Sequence, residues 1–196
     1  MNPNEALHII DQMGVALRSN RERAATVFLN DPEGLSTIVP IVFDPTYKNH
    51  HKAAWIVEII AERDLQLLYP FLGIFASHVS VVKKDSAVRS MAKICRWIAL
   101  RYVKQKEKLI LDALSISDVL KIVEVGFDWM IGPYPVAPKA YTMDTLYAFG
   151  SLDHPDLKWV HDSLKDVILQ QIQKGSPGFQ NHGEKILGKI GYRSEY

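Results

Sequence analysis

The stretch 85–106 carries an apolar residue at almost every third or fourth position. This spacing places the apolar side chains on one face of an α-helix, and they belong to Val88, Met91, Cys95, Ile98 and Tyr102. A second face repeats the spacing in basic residues, which are Arg89, Lys93 and Arg96. The side-chain oxygen of Asp85 or Ser86 can cap the first turn. The pattern therefore predicts an amphipathic helix with one apolar and one basic face.

Similar segments recur along the chain, separated by breaks that contain Pro, Gly, Asn or Asp. The N-terminal segment, residues 1–30, contains two predicted helices, over 4–18 and 21–29. From residue 31 onward the predicted helices come in pairs, which are 35–42 with 52–63, 65–75 with 85–106, 116–130 with 137–149, and 156–172 with 180–190. The β-branched runs 38–43 and 79–82 are short and flanked by helical periodicity, so we expect helix or loop there. The chain is therefore predicted to be all-α, with more than about 60% helix and no sheet.

The apolar faces of these helices predict the buried core. Its expected members are Ile56, Ile60, Leu72, Met91, Cys95, Ile98 and Leu146. Cys95 is the single cysteine of the chain, which excludes an internal disulfide and a cysteine-based zinc cluster. Because Cys95 lies on an apolar stripe, we expect an inert core thiol.

The second helix of each pair begins in a similar way. A basic residue or histidine is followed by a small residue in Lys52-Ala53, Arg89-Ser90, Lys139-Ala140 and His182-Gly183. The start Asp-Ser-Ala-Val-Arg at 85–89 resembles the second helix of a HEAT repeat. Pro40 and Pro70 stand in the middle of two predicted first helices, where a proline often bends the first helix of a HEAT repeat.

This resemblance covers residues 31–191 and implies an α-α superhelix of about four stacked HEAT-like helix pairs. With the N-terminal helical segment, the pairs would form a single helical-repeat domain, residues 1–196. In such a stack the second helices line a concave surface, where repeat proteins usually bind their partners. The alternative is a compact all-α bundle without a superhelical groove.

Composition and charge narrow the class of protein. Hydrophobic residues make up 47% of the chain and charged residues 23%, so wholesale disorder is not expected. A net charge of +1 argues against a generally electrostatic partner such as bulk nucleic acid. The charge is unevenly distributed, since residues 49–110 carry 11 Lys and Arg against 5 Asp and Glu. An anion-binding site is therefore expected in the middle third of the chain.

The sequence shows no targeting or membrane segment. Its first residues, Met-Asn-Pro-Asn-Glu, have neither the basic nor the apolar region of a signal peptide. No window approaches the roughly 20 uninterrupted apolar residues that span a bilayer. We therefore expect a cytoplasmic protein with no membrane partner.

Signatures of catalysis are missing from the sequence. It lacks the glycine-rich phosphate-binding motifs, the Gly-x-Ser-x-Gly nucleophile motif and the His-Glu-x-x-His zinc motif. His50 and His51 are adjacent and would point in different directions from a helix. His154 and His161 could share a helical face but have no third ligand at a helical offset. The sequence thus predicts no catalytic residue, no metal site and no cofactor.

The candidate binding residues follow from the HEAT resemblance and from the basic face. They are expected on the concave surface and are Lys52, Trp55, Arg89, Lys93, Arg96 and Lys139. Two of them also have structural interpretations. In HEAT families the arginine after the valine commonly pairs with an aspartate of a neighbouring repeat, so a place in such an internal ladder is an equal alternative for Arg89. Trp55 stands beside Ile56 and Ile59 and could belong to the core.

Three functions stay open at the level of sequence. The first is a non-catalytic scaffold that binds a protein or peptide on its concave surface, which rests on fold-level analogy. The second is a nucleic-acid binder or an enzyme that resembles the HEAT-like DNA glycosylases, which use a basic groove with tryptophans and an acidic residue. The residues available for that function are Trp55, Trp97 and Trp129 with Glu58, Asp128 and Asp144. The third is a small-molecule enzyme, for which no acid–base pair is visible.

Overall fold

The structure of the protein is a computed structural model that describes residues 1–192. The protein is 78% helical, and no strand occurs in the described part of the chain. The predicted all-α fold class is therefore confirmed. The chain divides into two compact units, Met1–Ile94 and Cys95–Tyr196, and the division falls inside one long helix.

The first unit contains α1 to α5 and the beginning of α6. Their bounds are Pro3–Gln12 for α1, Arg18–Leu29 for α2, Gly34–Val42 for α3, His50–Arg63 for α4, Leu72–His78 for α5 and Asp85–Leu100 for α6. Two 3-10 helices, Leu65–Phe71 and Val79–Val81, flank α5.

The second unit contains the end of α6 and the remaining helices. A π-helical turn, Arg101–Gln105, follows α6, and a 3-10 turn, Pro155–Leu157, precedes α10. The helices are α7 (Lys108–Ala113), α8 (Ile116–Ile131), α9 (Val136–Gly150), α10 (Val160–Ile172) and α11 (Pro177–Ile190).

Helices within each unit pack in two layers. In the first unit, α1 packs on α3, α2 packs on α4, and α3 packs on α4. In the second unit, α8 packs on α10, α9 packs on α11, and each pair is joined by contacts between its own two helices. Within each unit, alternate helices therefore pack side by side, and in the first unit this includes α1 and α2.

Local signals explain where several helices begin. Asn2 and Glu5 form a capping box at α1, with Asn2 Oδ1 accepting from the Glu5 amide at 3.0 Å and Glu5 Oε2 from the Asn2 amide at 2.9 Å. Ser115 and Asp118 form the equivalent box at α8. Gly34 lets α3 start against the end of α2, because a Cβ at this position would lie 1.9 Å from the Phe28 carbonyl oxygen.

The predicted core is confirmed. Ile56, Ile60, Leu72, Met91, Cys95, Ile98 and Leu146 are all buried. Burial also raises the pKa of the Cys95 thiol well above its ordinary value, which keeps the sulfur protonated. The apolar stripe of α6 was thus assigned to the correct face.

Two predicted helix bounds in the first unit are wrong. The helix predicted over 4–18 ends at Gln12, because Gly14 adopts a positive φ of 73° and reverses the chain. The helix predicted over 65–75 runs as a 3-10 helix to Phe71 before α5 begins. Pro70, which lacks an N–H, lies in this 3-10 segment, whereas Pro40 lies inside α3 as expected.

The helix predicted over 85–106 is also shorter than expected. Asp85 belongs to its first turn, and α6 ends at Leu100. Lys106 has a φ of 48°, a left-handed conformation that stops the helix after the π-helical turn. The basic residues up to Lys108 therefore do not continue one helix, and Lys108 begins the separate helix α7, which the periodicity did not predict.

Candidate functional site

A polar ladder connects α4 with the first half of α6. The α4 residues His51, Trp55 and Glu58 are three or four positions apart, so they lie on one face of that helix. Lys84 Nζ lies 3.1 Å from His51 Nε2, and Trp55 Nε1 donates to the Ser86 carbonyl oxygen at 3.3 Å. The ladder continues at Glu58, which accepts hydrogen bonds from two α6 side chains.

Glu58 is the most buried charge of the ladder, with 2% of its side chain exposed. Ser90 Oγ donates to Oε2 at 2.5 Å, and Lys93 Nζ donates to Oε1 at 2.9 Å. The guanidinium groups of Arg21 and Arg89 each approach Oε2 to 3.9 Å. Burial alone would raise the pKa of Glu58, but the Ser90 and Lys93 hydrogen bonds outweigh it and hold the pKa below its usual value. Glu58 is thus an ionised carboxylate balanced by cations inside the protein.

His51 occupies the start of the ladder in its neutral form. Its ring packs edge-on against Trp55, with the ring centroids 5.0 Å apart, and its side chain is buried. Burial, together with the nearby Lys84 ammonium, lowers the pKa of His51 to about 4. A neutral ring can accept a hydrogen bond from the ammonium group, which explains the close contact between two basic residues.

A second charged cluster joins α6, α9 and α11 in the second unit. Arg96 Nε donates to Asp144 Oδ2 at 2.6 Å, and the guanidinium lies 6.0 Å from the centre of the Tyr141 ring. His182 Nε2 lies 3.3 Å from Asp144 Oδ1 without meeting the geometry of a hydrogen bond. Burial would raise the pKa of Asp144, but the neighbouring His182 and Arg96 outweigh it and lower that pKa. The cluster therefore ties three helices together through one ionised carboxylate.

The six candidate binding residues are divided between the two units. Arg89 and Lys93 come together around Glu58, and Trp55 donates to the Ser86 carbonyl oxygen. Lys52 donates instead to the Asp11 carbonyl oxygen at 3.3 Å. Arg96 and Lys139 lie in the second unit. Lys93 and Arg96, the residues of the predicted basic face with the shortest contacts, are each bonded to a carboxylate of their own unit.

Lys139 differs from the other cations of the set. Its ammonium is half-buried and donates to Gln171 Oε1 at 2.9 Å, while Gln171 Nε2 donates to the Met130 carbonyl oxygen at 3.0 Å. No carboxylate of residues 1–192 lies within ion-pair distance of Lys139. Burial lowers the pKa of this lysine.

The sequence pointed to Glu58 only as a possible acid of a glycosylase-like enzyme. It did not predict that Glu58 is a buried carboxylate that holds α4 and α6 together. A signal for that role exists, because Glu58 stands in the otherwise apolar run Ala-Ala-Trp-Ile-Val-Glu-Ile-Ile of α4. A carboxylate in such a run must find internal partners when the helix is buried. The other residues considered for that enzyme are placed differently: Trp129 is buried, and Asp128 is exposed.

An aromatic surface patch on α8 and α10 was not predicted. Phe127 of α8 stacks on Trp159 at the start of α10, with ring centroids 5.2 Å apart and an interplanar angle of 29°. Trp159 is 43% exposed, and Ile131, one turn after Phe127 on α8, is 68% exposed. We call Phe127, Ile131 and Trp159 the aromatic patch. A weak signal was present, since the residues three positions before and after Trp159 are Asp156 and Asp162 and not members of an apolar stripe.

Within residues 1–192, no group of three or more His, Cys, Asp and Glu side chains could hold a metal ion. Over the same residues, every helix is too short or too polar to cross a membrane. Comparison of the chain with protein-family models, with curated proteins and with solved structures gives no significant match.

Proposed function

We propose that the protein is a non-catalytic helical-repeat scaffold of the HEAT-like type that binds a protein or peptide partner. The layered packing of helix pairs within each unit supports the repeat architecture. The aromatic patch is the observation that carries the binding function. It lies on α8 and α10, the first helices of their pairs, so the proposed binding surface differs from the surface of second helices expected from the sequence. Aromatic residues are enriched at the energetic centre of protein–protein interfaces, and exposed apolar residues that lie together often mark an interaction site.

The stacked ring of Trp159 suits it to act as an anchor. Its indole N–H already donates to the Asp156 carbonyl oxygen at 2.7 Å, which fixes the ring while its face stays accessible. An anchor that is ordered before binding loses little conformational entropy when the partner arrives. Ile131 extends the apolar surface along α8.

Charges around the aromatic patch define the chemistry of the partner. Four exposed carboxylates lie within three or four positions of the patch residues, and they belong to Glu124, Asp128, Asp156 and Asp162. Residues 155–162 contain a single lysine or arginine, which is Lys158. Complementary potentials favour a partner of the opposite sign. The proposed partner is therefore a segment with an aromatic or aliphatic anchor flanked by Lys or Arg.

Binding of nucleic acid is less well supported by the same geometry. Phosphate contacts need accessible cations, and the ammonium of Lys93 and the guanidinium of Arg96 are engaged by Glu58 and Asp144. The four exposed carboxylates beside the aromatic patch would also repel a phosphate backbone.

Selection of displayed random peptides on the full chain, followed by titration of the enriched peptides, tests the proposal. We expect convergent sequences with an apolar anchor between basic residues. Trp159→Ala should weaken binding by about 30-fold, the effect of a hot-spot residue. Ile131→Asp should weaken binding by about tenfold, and Leu109→Ser, which changes a similarly exposed apolar residue on α7, should leave it unchanged.

Anisotropy of labelled single- and double-stranded DNA at about 50 and 200 mM salt provides the opposing measurement. Lys104 and Lys108 are exposed and suit charge reversal without breaking the internal ion pairs. Micromolar DNA binding that collapses with salt, and is lost in Lys104→Glu/Lys108→Glu, would favour the nucleic-acid function instead. Peptides that bind Trp159→Ala as well as the unaltered protein would refute the aromatic patch as the binding surface.

A further inference from the structure

The pocket beside Lys139 has an unusual charge balance. It has a volume of about 280 Å³ and lies in the second unit between the starts of α9 and α11 and the end of α10. Two lysines, Lys139 and Lys174, line it together with the polar residues Gln170, Gln171 and Ser176. No Asp or Glu is among its lining residues.

The other half-buried cations show what is missing at Lys139. Lys93 has a carboxylate oxygen at 2.9 Å, and Arg96 has one at 2.6 Å. A cation removed from water is stabilised when such an opposite charge is near. Within residues 1–192, the partner of the Lys139 ammonium is the neutral amide oxygen of Gln171, which uses one of its three N–H donors.

The Gln171 side chain is itself fixed in this orientation. Its Nε2 donates to the Met130 carbonyl oxygen, so its Oε1 is the atom that faces Lys139. The ammonium is therefore held in place at the pocket with two further donors. The lowered pKa of Lys139 agrees with an incompletely compensated charge.

Apolar side chains form another wall of the pocket. Val136 and Phe179 line it beside the polar residues. A ligand that contacts both walls needs an anionic group to pair with the lysines and a short apolar carbon skeleton to pack against Val136 and Phe179.

We propose that this pocket binds a small organic anion, with its carboxylate or phosphate group on Lys139 and Lys174 and its carbon skeleton against Val136 and Phe179. The site is separate from the aromatic patch and does not depend on a protein partner. Binding would supply the counter-ion that the fold gives to Lys93 and Arg96 but not to Lys139.

Isothermal titration of the full chain with phenylacetate and phenyl phosphate tests the proposal, with neutral phenylacetamide and inorganic phosphate as comparison probes. We expect saturable 1:1 binding of an organic anion, weaker binding of inorganic phosphate and no binding of the amide. Lys139→Met should reduce affinity by about tenfold, since a charged hydrogen bond is lost, whereas Lys139→Arg should retain most of it. Lys174→Met, at an exposed position, should reduce affinity by about threefold.

Lys165→Met is the matched control, because Lys165 is half-buried on α10 and already pairs with Asp162 at 3.4 Å. Its variant should bind the anions like the unaltered protein. Absence of saturable binding for both organic anions up to about 10 mM would overturn the proposal. An affinity of Lys139→Met and of Lys174→Met equal to that of the unaltered protein would overturn it as well. Neither result bears on the peptide selection, so this proposal and the proposed function can fail separately.

Discussion

His51 illustrates how a single side chain can link stability to pH. The ring is buried against Trp55 and receives the Lys84 ammonium, an arrangement that only the neutral ring allows. In the unfolded chain the same histidine returns to an ordinary pKa near 6.5. The native and unfolded states therefore bind different numbers of protons between pH 6.5 and about 4.

The expected result is a loss of stability as the pH falls through this window. The unfolded state takes up a proton first, so the contribution of His51 is fully present above about pH 6.5 and lost by about pH 4. Urea unfolding should show a loss of about 2 kcal/mol between pH 7 and pH 5. His51→Gln should flatten this dependence, whereas His8→Gln, at an exposed residue of α1, should preserve it. If the free energy of unfolding of His51→Gln depends on pH as steeply as that of the unaltered protein, His51 is not the group responsible for this dependence.

At the scale of elements, two ion pairs of Glu58 between α4 and α6 are expected to differ in strength. Lys93 and Arg89 both approach Glu58, at 2.9 Å and 3.9 Å. Lys93 is 17% exposed and Arg89 is 44% exposed. Solvent screens the exposed arginine, while the lysine shares the buried environment of the carboxylate.

Lys93→Met should therefore destabilise the protein by about 3 kcal/mol, because it leaves Glu58 buried without its nearest cation. Arg89→Met should change the free energy of unfolding by less than about 1 kcal/mol. Urea denaturation of both variants measures the difference. Equal losses would show that Glu58 is stabilised by the cluster as a whole and not mainly by Lys93.

Packing of α6 gives a second prediction at this scale. Ile98 is fully buried, so Ile98→Ala removes apolar contacts and leaves a cavity, with an expected loss of about 2–5 kcal/mol. Ile74 on α5 is 43% exposed and provides the control, with an expected loss below about 1 kcal/mol for Ile74→Ala. A loss below about 1 kcal/mol at Ile98 would contradict the role of this residue in the core.

At the scale of the whole molecule, the least exposed of the described carboxylates with a lowered pKa in each unit is held by neighbouring basic side chains. Glu58 serves the first unit and Asp144 the second. A carboxylate with a lowered native pKa stabilises the fold above its ordinary pKa, near 4.3 for Glu and 3.9 for Asp. That contribution disappears as the pH falls through the native pKa.

The midpoint of thermal unfolding should therefore fall steeply between about pH 5 and pH 3. Glu58→Gln and Asp144→Asn should each be destabilised at pH 7 and show a flatter fall below pH 5. Asp128→Asn, at an exposed residue of α8, should follow the unaltered protein. If the unfolding midpoint of all three variants falls with pH as steeply as that of the unaltered protein, groups other than Glu58 and Asp144 dominate acid unfolding.

The sequence by itself determined the all-α class, most of the helices and the buried face of α6. Helical periodicity is local, since residues three or four positions apart meet on one face whatever the rest of the chain does. The core positions of α6 and the all-α class followed from this pattern alone. Breaks that depend on one backbone conformation, such as those at Gly14 and Lys106, were not visible because the residue types there permit a helix as well as a turn.

Only the tertiary structure decided what the charged residues do. Lys93 and Glu58 are 35 positions apart in the sequence, and Arg96 and Asp144 are 48 apart. Helical periodicity, which relates residues three or four positions apart, does not predict contacts at such separations. The basic face of α6 therefore looked available for a ligand, although its cations had partners on other helices. Lys139 has no carboxylate within ion-pair distance among residues 1–192, and Trp159 stayed exposed. These outcomes depend on which helices become neighbours, because charge pairing and burial are set by contacts between distant segments.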